Sequence, residues 1–228
     1  MLMKVFTETI DFKRIKQFLA EGSKVSLLIR HSERPAITPG DTTFGHTLAL
    51  TPRGEAMARA AGRLLAGLHD ARFLSSPMVR CQMTAACLAE EMGYAGVEVM
   101  DEPILGLKNF YYDDIDKLPG EMMRCGYIQY MLDYLRTGSA LYSHDVAVAT
   151  PQMVAWMQHM TTQQLNVLVS HDIFVAALLA GIEARTYTAE NWVGFLHSAA
   201  VICTQERDWL FYPCVPSLDV EDTTAFVQ

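Results

Sequence analysis

Three short apolar stretches of this 228-residue chain run directly into residues that carry chemistry. Residues 25–29 are followed by Arg30, His31, Ser32, Glu33 and Arg34. The "ARFL" stretch is followed by Ser75, Ser76 and, one helical turn later, Arg80, and the "LNVLV" stretch leads through Ser170 to His171 and Asp172. If these stretches end side by side, three arginines and two histidines meet in one pocket. Such a pocket suits a small, highly charged anion. Arginine fits phosphate best, because its planar fork donates two parallel hydrogen bonds and stays charged at any working pH. Each charge-assisted bond contributes roughly 1.5–3 kcal/mol. A histidine inside the ring is held neutral by its positive neighbours, and a neutral imidazole nitrogen is a competent nucleophile towards phosphorus.

The elements between these residues follow from periodicity. Phe12, Ile15, Phe18 and Leu19 share one helical face over 11–21, which Gly22 is placed to end. Residues 25–29 are too few for a helix between Gly22 and Pro35 and read as a buried strand. Thr51 and Pro52 open a helix through "LTPRGEAMARAAGRLL" as N-cap and first helical residue. A second strand precedes Ser75, and a helix behind it closes at Gly93. Further expectations are a third strand at 97–100, helix from Pro151, a strand at 165–170, a helix that Asp172 can cap, and a terminal hairpin over 199–204 and 209–213. Residues 101–150 lose the periodicity and suggest an excursion off the main body, with "FYYDDID" as a lid over substrate. Alternating strands and helices imply an α/β fold, a three-layer sandwich with a mostly parallel central sheet and helices on both faces. In such sheets ligands bind at the carboxyl edge of the strands. One domain over 1–228 is expected.

Composition narrows the partners. A net charge of −8, with both signs mixed along the chain, offers no broad positive field for nucleic acid or an anionic membrane. The first 24 residues are interrupted by charges, giving neither a signal-peptide core nor a membrane span, so a cytoplasmic location is expected. Five cysteines without a C-x-x-C pair read as reduced, mostly buried thiols. His46, His69, His144, His159 and His197 show no ligand spacing, so neither a metal nor another cofactor is expected.

Taken together, "LLIRHSERP", "LTPRGEAMARAAGRLL", "SSPMVRCQMTA" and "VSHD" resemble the motifs of the histidine phosphatase superfamily, in the family's order over residues 25–204. The resemblance implies a phosphoglycerate mutase-like fold with His31 as the nucleophile that becomes phosphohistidine and Arg30, Arg80 and His171 as phosphate ligands. Arg34 matches the extra arginine of the acid phosphatase branch, and Asp172 that branch's proton donor. Ser32 stands where the family usually has glycine. Leu107 stands nearest to where the mutase-like branch carries its donor glutamate, which favours Asp172 as the acid, with Glu33 and Glu102 as outside candidates. The expected activity is metal-independent hydrolysis of a small phosphorylated substrate. A phosphoglycerate-type phosphomutase and a non-catalytic phospho-ligand binding protein are the alternatives. Oligomeric state leaves no signal in the sequence.

Overall fold

The computed structural model describes residues 2–218 except 39, 42, 107 and 115. Leu107 therefore lies outside the described residues. At the centre of the sheet, β3 (Lys24–Arg30) pairs in parallel with β6 (Leu165–Ser170), which pairs in parallel with β4 (Ala71–Ser75). These strands are mostly apolar because both faces are covered, with the buried polar side chains Ser26 and Asn166 hydrogen-bonded to Thr161 and to the Val25 carbonyl. Leu27 and Ile29 point towards α1 (Phe12–Ala20), α2 (Pro52–Leu64) and α3 (Val79–Glu91), whereas Leu28 joins the core formed with α6 (Val146–Met160) and α7 (Asp172–Gly181). The result is the three-layer α/β sandwich that the alternating pattern implies.

Local chemistry sets the helix starts. The Asp11 side chain accepts from the Arg14 amide to cap α1. Thr51 caps α2 through the Gly54 amide at 2.9 Å, with Pro52 at the first helical position. Phe12, Ile15 and Leu19 are almost fully buried, and each contributes about 1.5–3 kcal/mol as an upper bound.

Elsewhere the elements differ from the pattern reading. The strand expected at 97–100 is paired only at β5 (Met100–Asp101), an exposed edge strand with no core face to specify it. The last two strands, β7 (Ser198–Cys203) and β8 (Trp209–Val215), form the expected hairpin but lie inside the sheet, with β7 antiparallel to β3. β8 is then covered by β1 (Met3–Val5) and β2 (Ile10–Asp11), which are too short to show a period of two. α6 begins at Val146, because Asp145 caps it through the Ala147 amide at 2.7 Å, and Pro151 sits within the helix. Residues 101–150 contain α4 (Leu118–Cys125) and α5 (Tyr127–Thr137). Their Leu118, Met122, Tyr130, Met131 and Tyr134 are buried in the same core as Leu28 and Leu168, so the segment packs onto the body. No helix among the described residues is long and apolar enough to cross a membrane.

Candidate active site

Strand register assembles the site. Arg30 pairs with Ser170, and Ser75 with Val169, so three strands finish within one residue of each other. Beyond those ends the His31 amide donates to the Ser170 carbonyl and the Ser76 amide to the Val169 carbonyl, both at 2.9 Å. His31, Ser76 and His171 thereby emerge at one level, and α3 brings Arg80 to them in its first turn. The His31 and His171 ring centres are 5.5 Å apart.

His31 is 3% exposed. Its Nδ1 lies 2.7 Å from the Ser32 carbonyl. A carbonyl only accepts, so Nδ1 carries the proton and Nε2 keeps its lone pair. Burial, then the charges of Arg80, His171 and Arg30, hold the imidazole well below its ordinary pKa and therefore neutral at pH 7. The residue after it explains the departure at Ser32. Its buried hydroxyl donates to the Gly54 carbonyl at 2.7 Å, and its amide donates to Thr84 Oγ1 at 3.0 Å, tying the loop to α2 and α3. Gly54 is required for this approach, since a Cβ there would lie 2.1 Å from the Glu33 carbonyl oxygen.

Three arginines line the same cavity as His31. Arg30 lies with its guanidinium carbon 4.3 Å from the Phe195 ring centre, donates to the Val193 carbonyl and stands 3.4 Å from Asp172. Arg80 donates to the Gly45 carbonyl at 2.8 Å and faces His171 Nδ1 at 3.3 Å. Arg34 donates to the Pro35 carbonyl at 2.6 Å. All three arginines line one cavity of about 940 Å³, and the Nε–H of each is buried with no protein acceptor. Three guanidinium groups on one cavity suit an anion with several acceptor oxygens.

Asp172 is placed differently from the simple cap that its position suggests. It is the first helical residue of α7, and its carboxylate accepts from Tyr127 OH at 2.6 Å, Trp192 Nε1–H at 3.0 Å and the Ile173 amide at 3.0 Å. Burial raises its pKa, but Arg30, those two side-chain donors and His171 outweigh it and hold the carboxyl below its usual range. His171 is likewise held neutral, first by burial and then by Arg80. Its Nδ1 accepts from Arg80, and Nε2 lies 3.0 Å from Ser76 Oγ.

The two outside candidates separate. Glu33 lines the cavity, but its Oε1 accepts from Thr51 Oγ1 at 2.7 Å and its Oε2 lies 3.6 Å from Arg53. Glu102 does not line the cavity; it caps a short 3₁₀ turn through the Ile104 amide at 3.1 Å. Glu102 is thus removed from the reacting centre by its capping role. Pattern reading missed Tyr127, Trp192, Phe195 and Gly45. The first three sit where no periodicity singles out one aromatic, and Gly45 contributes only its carbonyl. Among the described residues no group of three or more His, Cys, Asp and Glu side chains is placed to hold a metal ion.

The buried neutral imidazoles have a consequence for stability. The folded-state pKa values of His31, His171 and His197 lie below the ordinary 6.5, that of His197 at about 4 through burial, Arg185 and Arg30. Above pH 6.5 neither state binds these protons, so stability is fully present. As the pH falls below 6.5 the unfolded chain takes up protons that the folded chain refuses. Each histidine then removes up to about 1.4 kcal/mol per pH unit until its folded pKa is reached. Urea midpoints are expected to be flat from pH 8 to 7 and to fall steadily between pH 6.5 and 4; a midpoint independent of pH over that range contradicts the account.

Comparison with known proteins identifies the family and the fold. The model of the histidine phosphatase superfamily (branch 1) matches residues 26–210. No curated protein sequence matches significantly. Among solved structures, phosphoglycerate mutase from Bacillus anthracis str. Sterne superposes with a TM-score of 0.55 at 13% identity, over 84% of this chain and 92% of that one. The mycobacterial glucosyl-3-phosphoglycerate phosphatase superposes with a TM-score of 0.54 at 16% identity, over 86% of this chain and all of that one. At these identities the neighbours establish a shared fold, and the sequence model, which covers most of the chain, establishes the family. The chain belongs to the histidine phosphatase superfamily, branch 1.

Proposed function

We propose that this chain is a phosphomonoester hydrolase that works through a phosphohistidine on His31 and needs no metal. The observation that carries the reading is the convergence of Arg30, Arg34 and Arg80 on one cavity with an imidazole, His31, whose Nε2 keeps its lone pair. The Nε2 lone pair attacks phosphorus in line, and the bond from phosphorus to the ester oxygen breaks. Asp172 supplies the proton that the leaving alkoxide takes. In the second step water attacks the phosphohistidine, Asp172 accepts the water proton, and the phosphorus–nitrogen bond breaks to regenerate His31. Arg30, Arg34 and Arg80 hold the charge on the equatorial oxygens throughout, and His171 joins them when its Nε2–H turns from Ser76 Oγ to a phosphoryl oxygen.

Asp172 must be protonated to act as the acid, and its ligand-free environment opposes that. Phosphate binding reverses the balance, because an arriving dianion adds negative charge beside the carboxylate and draws Arg30 towards its own oxygens. Retention of Asp172 as donor is supported by its place 3.4 Å from Arg30 on the same cavity and by the removal of Glu102 from that cavity. The phosphomutase alternative would return the phosphoryl group to a second hydroxyl instead of water.

An assay with p-nitrophenyl phosphate and with phosphoglycerate, each in excess EDTA, tests the proposal. Hydrolysis of p-nitrophenyl phosphate is expected to persist undiminished, since arginine supplies the positive charge, and phosphoglycerate is expected to release inorganic phosphate or to be inert. Activity lost to chelation and restored by magnesium or zinc would overturn the mechanism, and phosphoglycerate isomerisation would establish the mutase.

A further inference from the structure

The cavity is much larger than a phosphoryl group requires, and much of its lining is apolar. At about 940 Å³ it lies at the upper end of the range that encloses drug-sized ligands. A three-carbon phosphoester would leave most of it as water against hydrocarbon. Apolar walls come from two segments, Ile37 and Phe44 on one and Met122, Met123 and Ile128 on the other, and from Trp192, which lines the cavity beside Asp172. Methionine and aromatic side chains make an apolar surface that adapts to the shape it holds. Charge is distributed in the opposite sense. Among the described residues, Arg30, Arg34 and Arg80 are the only Arg or Lys on the lining, whereas Glu33 and Asp41 add acidic groups to the walls.

We infer that the preferred substrate is the monophosphate ester of a bulky, uncharged alcohol, apolar or aromatic, and not a phosphorylated sugar acid or a bisphosphate. This inference rests on the phosphatase reading above. The alcohol fills the apolar walls and gains from their removal from water. A second anionic group finds no further Arg or Lys among the described lining residues and meets Asp41 instead, while Glu33 is already paired with Arg53. Tyr127, whose hydroxyl binds Asp172 and whose neighbours Gly126 and Ile128 line the cavity, joins the wall that selects the alcohol to the proposed acid.

Non-hydrolysable phosphonates separate the ligand class from turnover. Calorimetric titration of the wild-type protein with methyl-, butyl- and hexylphosphonate and with 3-phosphonopropionate is run beside hydrolysis of the corresponding alkyl phosphates. The Kd is expected to fall about fourfold for each methylene buried, with 3-phosphonopropionate binding more weakly than butylphosphonate. A flat series, or tighter binding of 3-phosphonopropionate, would overturn the inference whether or not any ester is hydrolysed. A steep series without hydrolysis would uphold the ligand class and overturn the hydrolase reading.

Discussion

His31→Ala is expected to lower kcat by about 10⁴–10⁶, the range seen when a covalent nucleophile is removed from an otherwise intact site. The loss should not extend to anion binding. The three arginines hold their positions through contacts that do not include the imidazole: Arg30 with Val193 and Phe195, Arg80 with Gly45 and His171, and Arg34 with Pro35. Inorganic phosphate or vanadate should therefore still bind the variant within about tenfold of the wild-type Kd. Removing a buried ring opens a cavity and costs about 2–5 kcal/mol by analogy with other large-to-small changes, so thermal melting with and without phosphate must accompany the assay. A folded variant that binds phosphate and retains more than a hundredth of the wild-type rate would remove His31 from the mechanism.

Asp172→Asn should separate substrates by their leaving groups. An alkoxide needs a proton as its bond breaks, whereas p-nitrophenolate departs without one. The rate with an alkyl phosphate is expected to fall about 10²–10⁴, the usual contribution of acid catalysis, and the rate with p-nitrophenyl phosphate much less. The substitution also has a structural consequence. Asparagine offers one acceptor oxygen where the carboxylate offers two; with that oxygen kept on the Trp192 Nε1–H, the Tyr127 hydroxyl can accept from the new amide, but the Ile173 amide loses its acceptor. That loss costs about 1–3 kcal/mol and should appear in the melting temperature of the ligand-free protein. Equal losses on both esters would mean that Asp172 only positions Arg30, Tyr127 and Trp192.

The legible parts of the molecule were those in which a local pattern and a tertiary demand coincide. β3 and β6 are mostly apolar because both their faces are buried, so their ends, and the arginine and histidines just past them, could be located from the pattern alone. Thr51 and Pro52 marked the start of α2 because capping chemistry is local. What escaped was decided by partners distant in sequence. β1 and β2 are strands only because β8 lies beside them, and the hairpin of β7 and β8 carries nothing that says which neighbour it will take. The same holds in the site. His31, Arg30, Arg80 and His171 follow strands and can be gathered by topology, whereas Tyr127 and Trp192 reach Asp172 from 45 and 20 residues away. Nothing in their own neighbourhoods marks them. Ser32 illustrates the remaining class: its hydroxyl is absorbed by the Gly54 carbonyl, a fit that exists only once α2 has packed against the loop.

The most direct test of the central claim is to trap the phosphoenzyme. Wild-type protein mixed with a radiolabelled aryl phosphate and quenched in alkali within one turnover should retain label that is stable to base, lost in mild acid, and located by peptide mapping on His31. Label on serine or cysteine, or on His171 in place of His31, would contradict the account.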